Sequence, residues 1–290
     1  MHNDVLTNQE QQIKAKKTIV YFLIYFFLGL LALITITPFI MILINSTRSG
    51  TAIRSGFTLI PGNQFMENWN VLMDTANILR GFLNSLFISL SVTILSGYFS
   101  ALTAYGFYVY KFRGRNFLFI MIIVMMMVPQ QLAFLGFYEL MSGYGLIDTY
   151  YPLIIPAIAS TFTVFFLRSY AAGTVHKELI EASRIDGARE FSIFHRLGLP
   201  LMMPGIATMS IFTFIGAWNN YLGALIILNS PEKKTLPLMI AELRTSQDIW
   251  IKNQGALYVG LAVSIVPIVI AFMFFSRYII DSIASGAVKG

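Results

Sequence analysis

The residue types that most often carry chemistry are few in this sequence and far apart. The three histidines, His2, His176 and His195, have neither metal-ligand spacing nor a nucleophile beside them. There is no cysteine, which excludes thiol chemistry and cysteine-ligated metals. The sequence also contains no Gly-x-x-x-x-Gly-Lys-Ser/Thr loop for nucleotide phosphates. We therefore expect a non-catalytic chain that binds neither a metal nor a cofactor.

The strongest polar signal is a segment that lies between two long apolar runs. It reads Glu181-Ala182-Ser183-Arg184-Ile185-Asp186-Gly187-Ala188 and continues through Phe191 to Leu199-Pro200. Helix formers and apolar spacing predict short helices over residues 177–185 and 188–197, with a turn at Gly187. This pattern favours a helix-turn-helix that docks on another protein. An amphipathic pair lying on lipid headgroups would have the same periodicity.

The composition is that of an integral membrane protein. Hydrophobic residues make up 56% of 290 positions, charged residues 12%, and the mean hydropathy is +0.69. A hydrocarbon core roughly 30 Å thick needs about 20 helical residues, and strands would show an alternation that is absent here. We predict an all-α fold with six transmembrane helices over residues 19–44, 82–110, 117–138, 150–168, 205–228 and 257–276. We divide the chain into a tail of residues 1–17 and a single transmembrane domain of residues 18–290, with its core at about 82–277.

The basic residues predict the orientation. With six spans, thirteen of the 20 lysines and arginines fall on the side of the N-terminus and seven on the other. Both termini and the polar segment are therefore predicted to be cytoplasmic. The inward basic loops also account for the net charge of +6, so no nucleic-acid partner is expected.

The predicted spans contain no aspartate, glutamate, lysine, arginine or histidine in their interiors. Proton relays and voltage sensors place such groups at membrane depth, so both are excluded, whereas sodium coupling through carbonyls and hydroxyls is not. Energy for any transport would have to come from another subunit. A polar segment on the cytoplasmic face is where that subunit would attach.

The polar segment also resembles a family signature. The pattern reads Glu-Ala-Ser, three residues, Gly187, nine residues, Leu197, one residue and Leu-Pro. It is similar to the signature loop in the permease subunits of binding-protein-dependent ABC importers. Ser183 and Leu197 depart from the usual residues, and His176 stands where proline is common. Further stretches resemble the carbohydrate-uptake type, specifically the smaller maltose-permease-like partner: Met127-Val128-Pro129, residues 145–150, residues 185–188, Trp218-Asn219 and residues 286–290.

The resemblance implies partners and a docking site. It implies a second permease subunit of a different chain, an ATPase dimer that carries the ATP and Mg, and an extracytoplasmic sugar-binding protein, all at a bacterial or archaeal cytoplasmic membrane. The residues implied to dock on the ATPase are Glu181, Ala182, Ser183, Asp186, Gly187, Ala188, Phe191, Leu199 and Pro200.

Two further sets of residues are candidates for binding. A substrate path would be lined by the aromatic and amide side chains of Phe214, Trp218, Asn219, Asn220 and Tyr221. Sugars are commonly held by aromatic stacking and amide hydrogen bonds. Helix packing or an interfacial aromatic belt would also explain these residues. In related permeases the last outer loop contacts the binding protein, which implies Trp250, Lys252, Asn253, Gln254 and Gly255; a solvated loop is the alternative. A self-sufficient secondary sugar transporter or facilitator also remains open as a function.

Overall fold

The computed structural model describes residues 2–246 and 252–287, and within those ranges all regular structure is helical. The α-helices are α1 His2–Ser46, α2 Gly50–Arg54, α3 Phe65–Thr75, α4 Ile78–Val109, α5 Arg115–Met126, α6 Phe134–Gly143, α7 Tyr151–Ile154, α8 Thr161–Thr174, α9 Lys177–Ile185, α10 Glu190–Ile193, α11 Leu199–Trp218, α12 Tyr221–Ile227, α13 Leu236–Thr245 and α14 Gln254–Ala287. Three 3-10 turns, Gln130–Ala133, Ile155–Ala159 and Pro231–Lys233, and one π-helical turn, Phe194–Gly198, complete the described structure.

Five helical stretches among the described residues are long and apolar enough to cross a membrane. They are Lys17–Ser46, Ile78–Val109, Tyr151–Thr174, Glu190–Trp218 and Gln254–Phe275. The all-α membrane fold predicted from composition is confirmed. The count of six spans is not, because the third predicted span is interrupted.

The interruption lies at a proline. α5 ends at Met126, and the chain passes through a 3-10 turn before α6 begins at Phe134. Pro129 has no N–H to donate, and its ring disfavours helical dihedrals at Val128. The result is two helices of 12 and 10 residues, each shorter than a bilayer requires.

The chain forms two compact units. One is drawn from residues 1–71 and 248–262, the other from residues 72–247 and 263–290. The first unit contains α1, whose most apolar stretch buries no residue within the chain. In this unit the buried Arg48 donates to Asn45 Oδ1 at 3.0 Å, and Asn68 Nδ2 donates to the Ser46 carbonyl at 2.8 Å.

The second unit is built around α4, which packs against α8 and α11. Small residues on α4 permit close contact between helices; at Gly97, for example, a methyl group would lie 3.2 Å from Ile206 Cγ2. One core cluster gathers side chains from α4, α8, α9 and the helix that follows, with members Ala101, Ala104, Tyr105, Leu167, Ala171, Val175, Ile180, Ile193, Phe194 and Met202. The segment around α9 is therefore packed on the transmembrane helices.

The second predicted loop helix is not a separate element. α10, the π turn and α11 form one continuous helix from Glu190 to Trp218. Pro200 cannot donate to the carbonyl one turn earlier, and the helix widens just before it, where the Leu199 N–H bonds to the Phe194 carbonyl. Because the widened turn absorbs the missing bond, the helix continues without a break.

Candidate functional site

The polar segment of the sequence forms two short helical stretches, α9 and α10, joined by a tight turn at Gly187. We call residues 175–198 the α9–α10 loop. α9 has the predicted bounds, Lys177–Ile185, and Gly187 follows it with a φ of 80°. The Ala188 N–H bonds to the Ser183 carbonyl and the Gly187 N–H to the Arg184 carbonyl, both at 3.0 Å. This is the Schellman arrangement of helix ends, in which the left-handed position favours glycine.

The tip of the loop exposes apolar side chains. Ile185 is 86% exposed and Phe191 64%, although both are large hydrophobic residues. Phe191 was predicted to dock, whereas Ile185 was not. The remaining docking residues predicted at the tip are also exposed, apart from the half-buried Ser183: Glu181, Ala182, Asp186, Gly187 and Ala188. Exposed hydrophobic residues ringed by polar ones are typical of protein-binding surfaces.

The opposite side of the loop is buried. Ile180, Ile193 and Phe194 are each exposed by 2% or less and belong to the core cluster that includes Tyr105 of α4. Leu199 and Pro200 lie at the start of α11, beyond the tip, with Leu199 half-buried and Pro200 exposed. The loop therefore has a surface suited to a partner and a second surface fixed to the helices.

A carboxylate that the sequence did not single out contacts both α9 and the end of α4. Glu190 lies in the first turn of α10, and the Arg184 guanidinium donates to it twice, from Nε to Oε1 at 2.6 Å and from Nη2 to Oε2 at 3.2 Å. The Tyr110 hydroxyl, just beyond the end of α4, donates to Oε2 at 2.6 Å. The bond to Glu190 also raises the pKa of Arg184, which stays charged.

Further contacts join the loop to α4. The Lys177 ammonium lies 5.0 Å from the centre of the Tyr108 ring, and His195 Nε2 lies 3.1 Å from the Tyr98 hydroxyl. Between them the Tyr105 ring packs so closely on Gly198 that a methyl group there would lie 2.7 Å from Tyr105 Cε2. The loop thus follows the last turns of α4.

Some of the predicted substrate-path residues lie in the core, and the others lie at the break between α11 and α12. Trp218 is 1% exposed, and its indole N–H donates to the Ser264 carbonyl at 3.1 Å. Its ring meets Phe82 edge to face at 5.6 Å and stacks with the buried Phe214 at 6.1 Å between centroids. These contacts are those of a packed aromatic cluster.

The amides of that path lie where the helix ends. Asn219 is exposed, and Asn220 caps α12 by accepting the Gly223 N–H at 3.0 Å; Tyr221 is half-buried. Phe214 also lines a cavity of about 520 Å³, whose other walls are apolar. Such walls offer a sugar hydroxyl no hydrogen bond, so the role of these residues in a substrate path stays a prediction.

The predicted binding-protein segment is only partly described. Trp250 lies outside the described residues, Lys252 is exposed, Asn253 is half-buried, and Gln254 and Gly255 are buried. A methyl group on Gly255 would collide with the Asn68 amide. The described end of this segment is therefore packed inside the protein at Gln254 and Gly255. Its contact with a binding protein stays a prediction.

A second polar cluster joins the loop before α7 to the loop before α13. Asp148 Oδ1 accepts the backbone N–H groups of Asn229 and Ser230, both at 2.9 Å. Its Oδ2 accepts the Ser230 hydroxyl at 2.5 Å and the Lys233 ammonium at 3.0 Å. These donors, the Ser230 hydroxyl first, hold the pKa of Asp148 well below its usual value. We call this cluster the Asp148 clasp.

The described residues contain no group of three or more histidine, aspartate, glutamate or cysteine side chains placed to hold a metal ion.

Comparison with known proteins gives a consistent result. Residues 93–285 match the family described as binding-protein-dependent transport system inner membrane component. An arabinooligosaccharides transport system permease protein of Halalkalibacterium halodurans is 39% identical over 264 residues, which is 90% of this chain and 93% of that protein. Its namesake in Bacillus subtilis is 36% identical over 91% of this chain and 94% of that protein.

A solved structure has the same fold. It is described as a bacterial ABC transporter involved in the import of the acidic polysaccharide alginate, and one of its chains superposes with a TM-score of 0.78. The alignment covers 90% of this chain and 96% of that chain at 22% identity.

Proposed function

The chain belongs to the family of binding-protein-dependent inner membrane permeases, as a permease of a carbohydrate ABC importer, and from that premise we propose that a separate ATPase drives it through the α9–α10 loop. The supporting observation is the exposure of Ile185 and Phe191 at the tip of a loop whose other side is buried against α4. A soluble partner that covers this tip would remove apolar surface from water, which favours binding.

The residues of the tip have distinct roles in this proposal. Glu181 and Asp186 make polar contacts with the ATPase, while Ala182 and Ala188 allow it to approach closely. Gly187 supplies the left-handed turn between the two helices. When the ATPase dimer closes on ATP, displacement of the tip passes into the helix from Glu190 to Trp218, because Phe191 of the tip lies in the first turn of that helix.

The cargo is inferred from relatives. Two of them are named as arabinooligosaccharide permeases and align over about nine-tenths of this chain. We take the substrate to be an oligosaccharide of that class, delivered by an extracytoplasmic binding protein and passed between this chain and a second, different permease subunit. In this arrangement α5 and α6 together cross the membrane once, so that the N-terminus and the α9–α10 loop both lie on the ATPase side of a bacterial cytoplasmic membrane.

Reconstitution tests the function directly. Proteoliposomes would contain this chain alone, or this chain with its partner permease, ATPase and binding protein, and would be offered arabinooligosaccharides or maltodextrins. We expect ATP-dependent uptake of arabinooligosaccharides by the complete assembly only. Uptake by the chain alone would establish the alternative, a self-sufficient transporter or facilitator. Uptake of maltodextrins in their place would refute the assigned substrate class.

The docking role is tested at the tip. Ala182→Trp places a large ring on the exposed face of α9, and Gly187→Pro removes a bonded N–H at a φ that proline cannot adopt. Both variants should reach the membrane but lose ATPase association and uptake. Ala172→Trp, at an exposed position of α8, is the matched control and should transport normally. Normal association by Ala182→Trp would contradict docking at this tip.

A further inference from the structure

Three separate elements meet at one carboxylate. Glu190 receives the Arg184 guanidinium from the end of α9 and the Tyr110 hydroxyl from just beyond α4, and it is itself in the first turn of α10. The Arg184 guanidinium also lies 5.7 Å from the centre of the Tyr110 ring. The Glu190 side chain therefore joins α9 and α10, the two helices of the α9–α10 loop, to the end of the second predicted span.

The contact is poorly suited to a purely stabilising role. The side chains of Arg184 and Glu190 are 37% and 48% exposed, and exposed ion pairs contribute little to folding because water screens them. The buried contacts of Ile180 and Phe194 already attach the loop to the core. What the Glu190 contact adds is geometry, because a bidentate guanidinium and a short hydroxyl bond both restrict orientation.

We propose that Glu190 is a positioning residue that makes the α9–α10 loop and the last turns of α4 move as one body. Displacement of the loop then reaches the span of α4 as well as the helix from Glu190 to Trp218. The inference rests on the proposed ATPase docking, and it adds a second route by which that docking moves the transmembrane helices.

Conservative substitutions separate this role from folding and from docking. Glu190→Gln keeps the size of the side chain but removes its charge, and Tyr110→Phe removes the hydroxyl but keeps the ring. Each should lower ATP-dependent uptake about two- to thirtyfold, the range of coupling effects of this kind. ATPase co-purification and the melting temperature should stay at wild-type values. Uptake by the double variant should be no lower than uptake by the less active of the two single variants, because both changes remove one shared contact.

Glu178→Gln is the matched control. It makes the same chemical change at an exposed position in the first turn of α9 and should transport normally. The inference is overturned if Glu190→Gln transports normally, or if its loss of transport is matched by a loss of thermal stability. Failure of the wild-type chain to associate with the ATPase would overturn the proposed function, and this inference with it.

Distance measurements test the motion itself. The chain has no cysteine, so cysteines that replace Arg113, beyond α4, and His176, before α9, can carry spin labels without background. In the complete transporter the distance between the labels should be the same with and without ATP. With Glu190→Gln it should shift or broaden on ATP binding. An ATP-dependent change of equal size without the substitution would show that the loop moves independently of α4.

Discussion

At the scale of single residues, the contact between Gly198 and Tyr105 determines how closely the helix from Glu190 to Trp218 approaches α4. Tyr105 is 1% exposed, so its ring has little room to turn away from that helix. A helical glycine usually costs stability relative to alanine. Here the absence of a side chain allows an aromatic ring to lie on the helix backbone.

Gly198→Ala should therefore destabilise the protein. The added methyl group would lie 2.7 Å from Tyr105 Cε2, and moving a buried ring costs about 1 to 3 kcal/mol of unfolding free energy. Thermal unfolding in detergent measures the effect as a lower melting temperature.

Gly216→Ala is the control in the same helix. A methyl group there would meet no atom within 4 Å, so stability should be unchanged or raised by up to about 1 kcal/mol. Equal behaviour of the two variants would show that the Tyr105 contact is not tight.

At the scale of elements, the Asp148 clasp fixes one loop to another. Asp148 has a φ of 60°, a conformation that aspartate and asparagine adopt more readily than most residues. From there its carboxylate reaches the segment of Ser230 and Lys233, which leads to α13. The ionised form is the one that accepts all of these bonds, so the clasp responds to pH.

The sign of the pH response follows from the lowered pKa of Asp148. Its usual value is about 3.9, so the clasp contributes fully at neutral pH and is lost as the pH falls below that value towards the lower pKa of the folded state. Asp148→Asn should melt at a lower temperature than wild type between about pH 5 and pH 8, with the difference shrinking below about pH 4. Melting curves across this range measure it.

Asp74→Asn, at an exposed position of α3, should leave the melting temperature unchanged. A deficit of Asp148→Asn that grew towards acid pH would contradict the lowered pKa.

The elements also show what the sequence could predict. Apolar runs and the turn at Gly187 are local patterns, so the spans of α4 and α14 and the bounds of α9 followed from them. The contact of Glu190 with Tyr110 joins residues 80 positions apart, and no local pattern indicates such a pair. The continuity of the helix through Pro200 was missed because a π turn, which has no sequence signature, replaces the expected break.

At the scale of the whole molecule, acidic, basic and histidine side chains stay away from the centres of the described spans. Within the five described spans they lie towards one end of each helix that has any: Lys17, Arg80, Arg168, Glu190, His195 and Arg196. The described spans therefore contain no buried chain of carboxylates or histidines for moving protons.

Because we propose that a separate ATPase supplies the energy, uptake should be independent of ion gradients. In proteoliposomes with the complete assembly and ATP, collapsing the proton and sodium gradients with ionophores should leave the rate unchanged. Uptake that stops with the gradients while ATP hydrolysis continues would contradict an ATP-driven mechanism. A parallel reaction without ATP provides the baseline.

The continuous helix from Glu190 to Trp218 has one further consequence, which is mechanical. Because the Glu190 and Gly198 contacts both hold its first turns to α4, the docking end of the helix turns together with α4 as one arm. At 1.5 Å per residue this arm extends about 42 Å from Glu190 to Trp218. A rotation of the arm about its docking end displaces Trp218 most, so we expect a small shift at Glu190 to accompany a larger one at Trp218, measurable with labels at both ends.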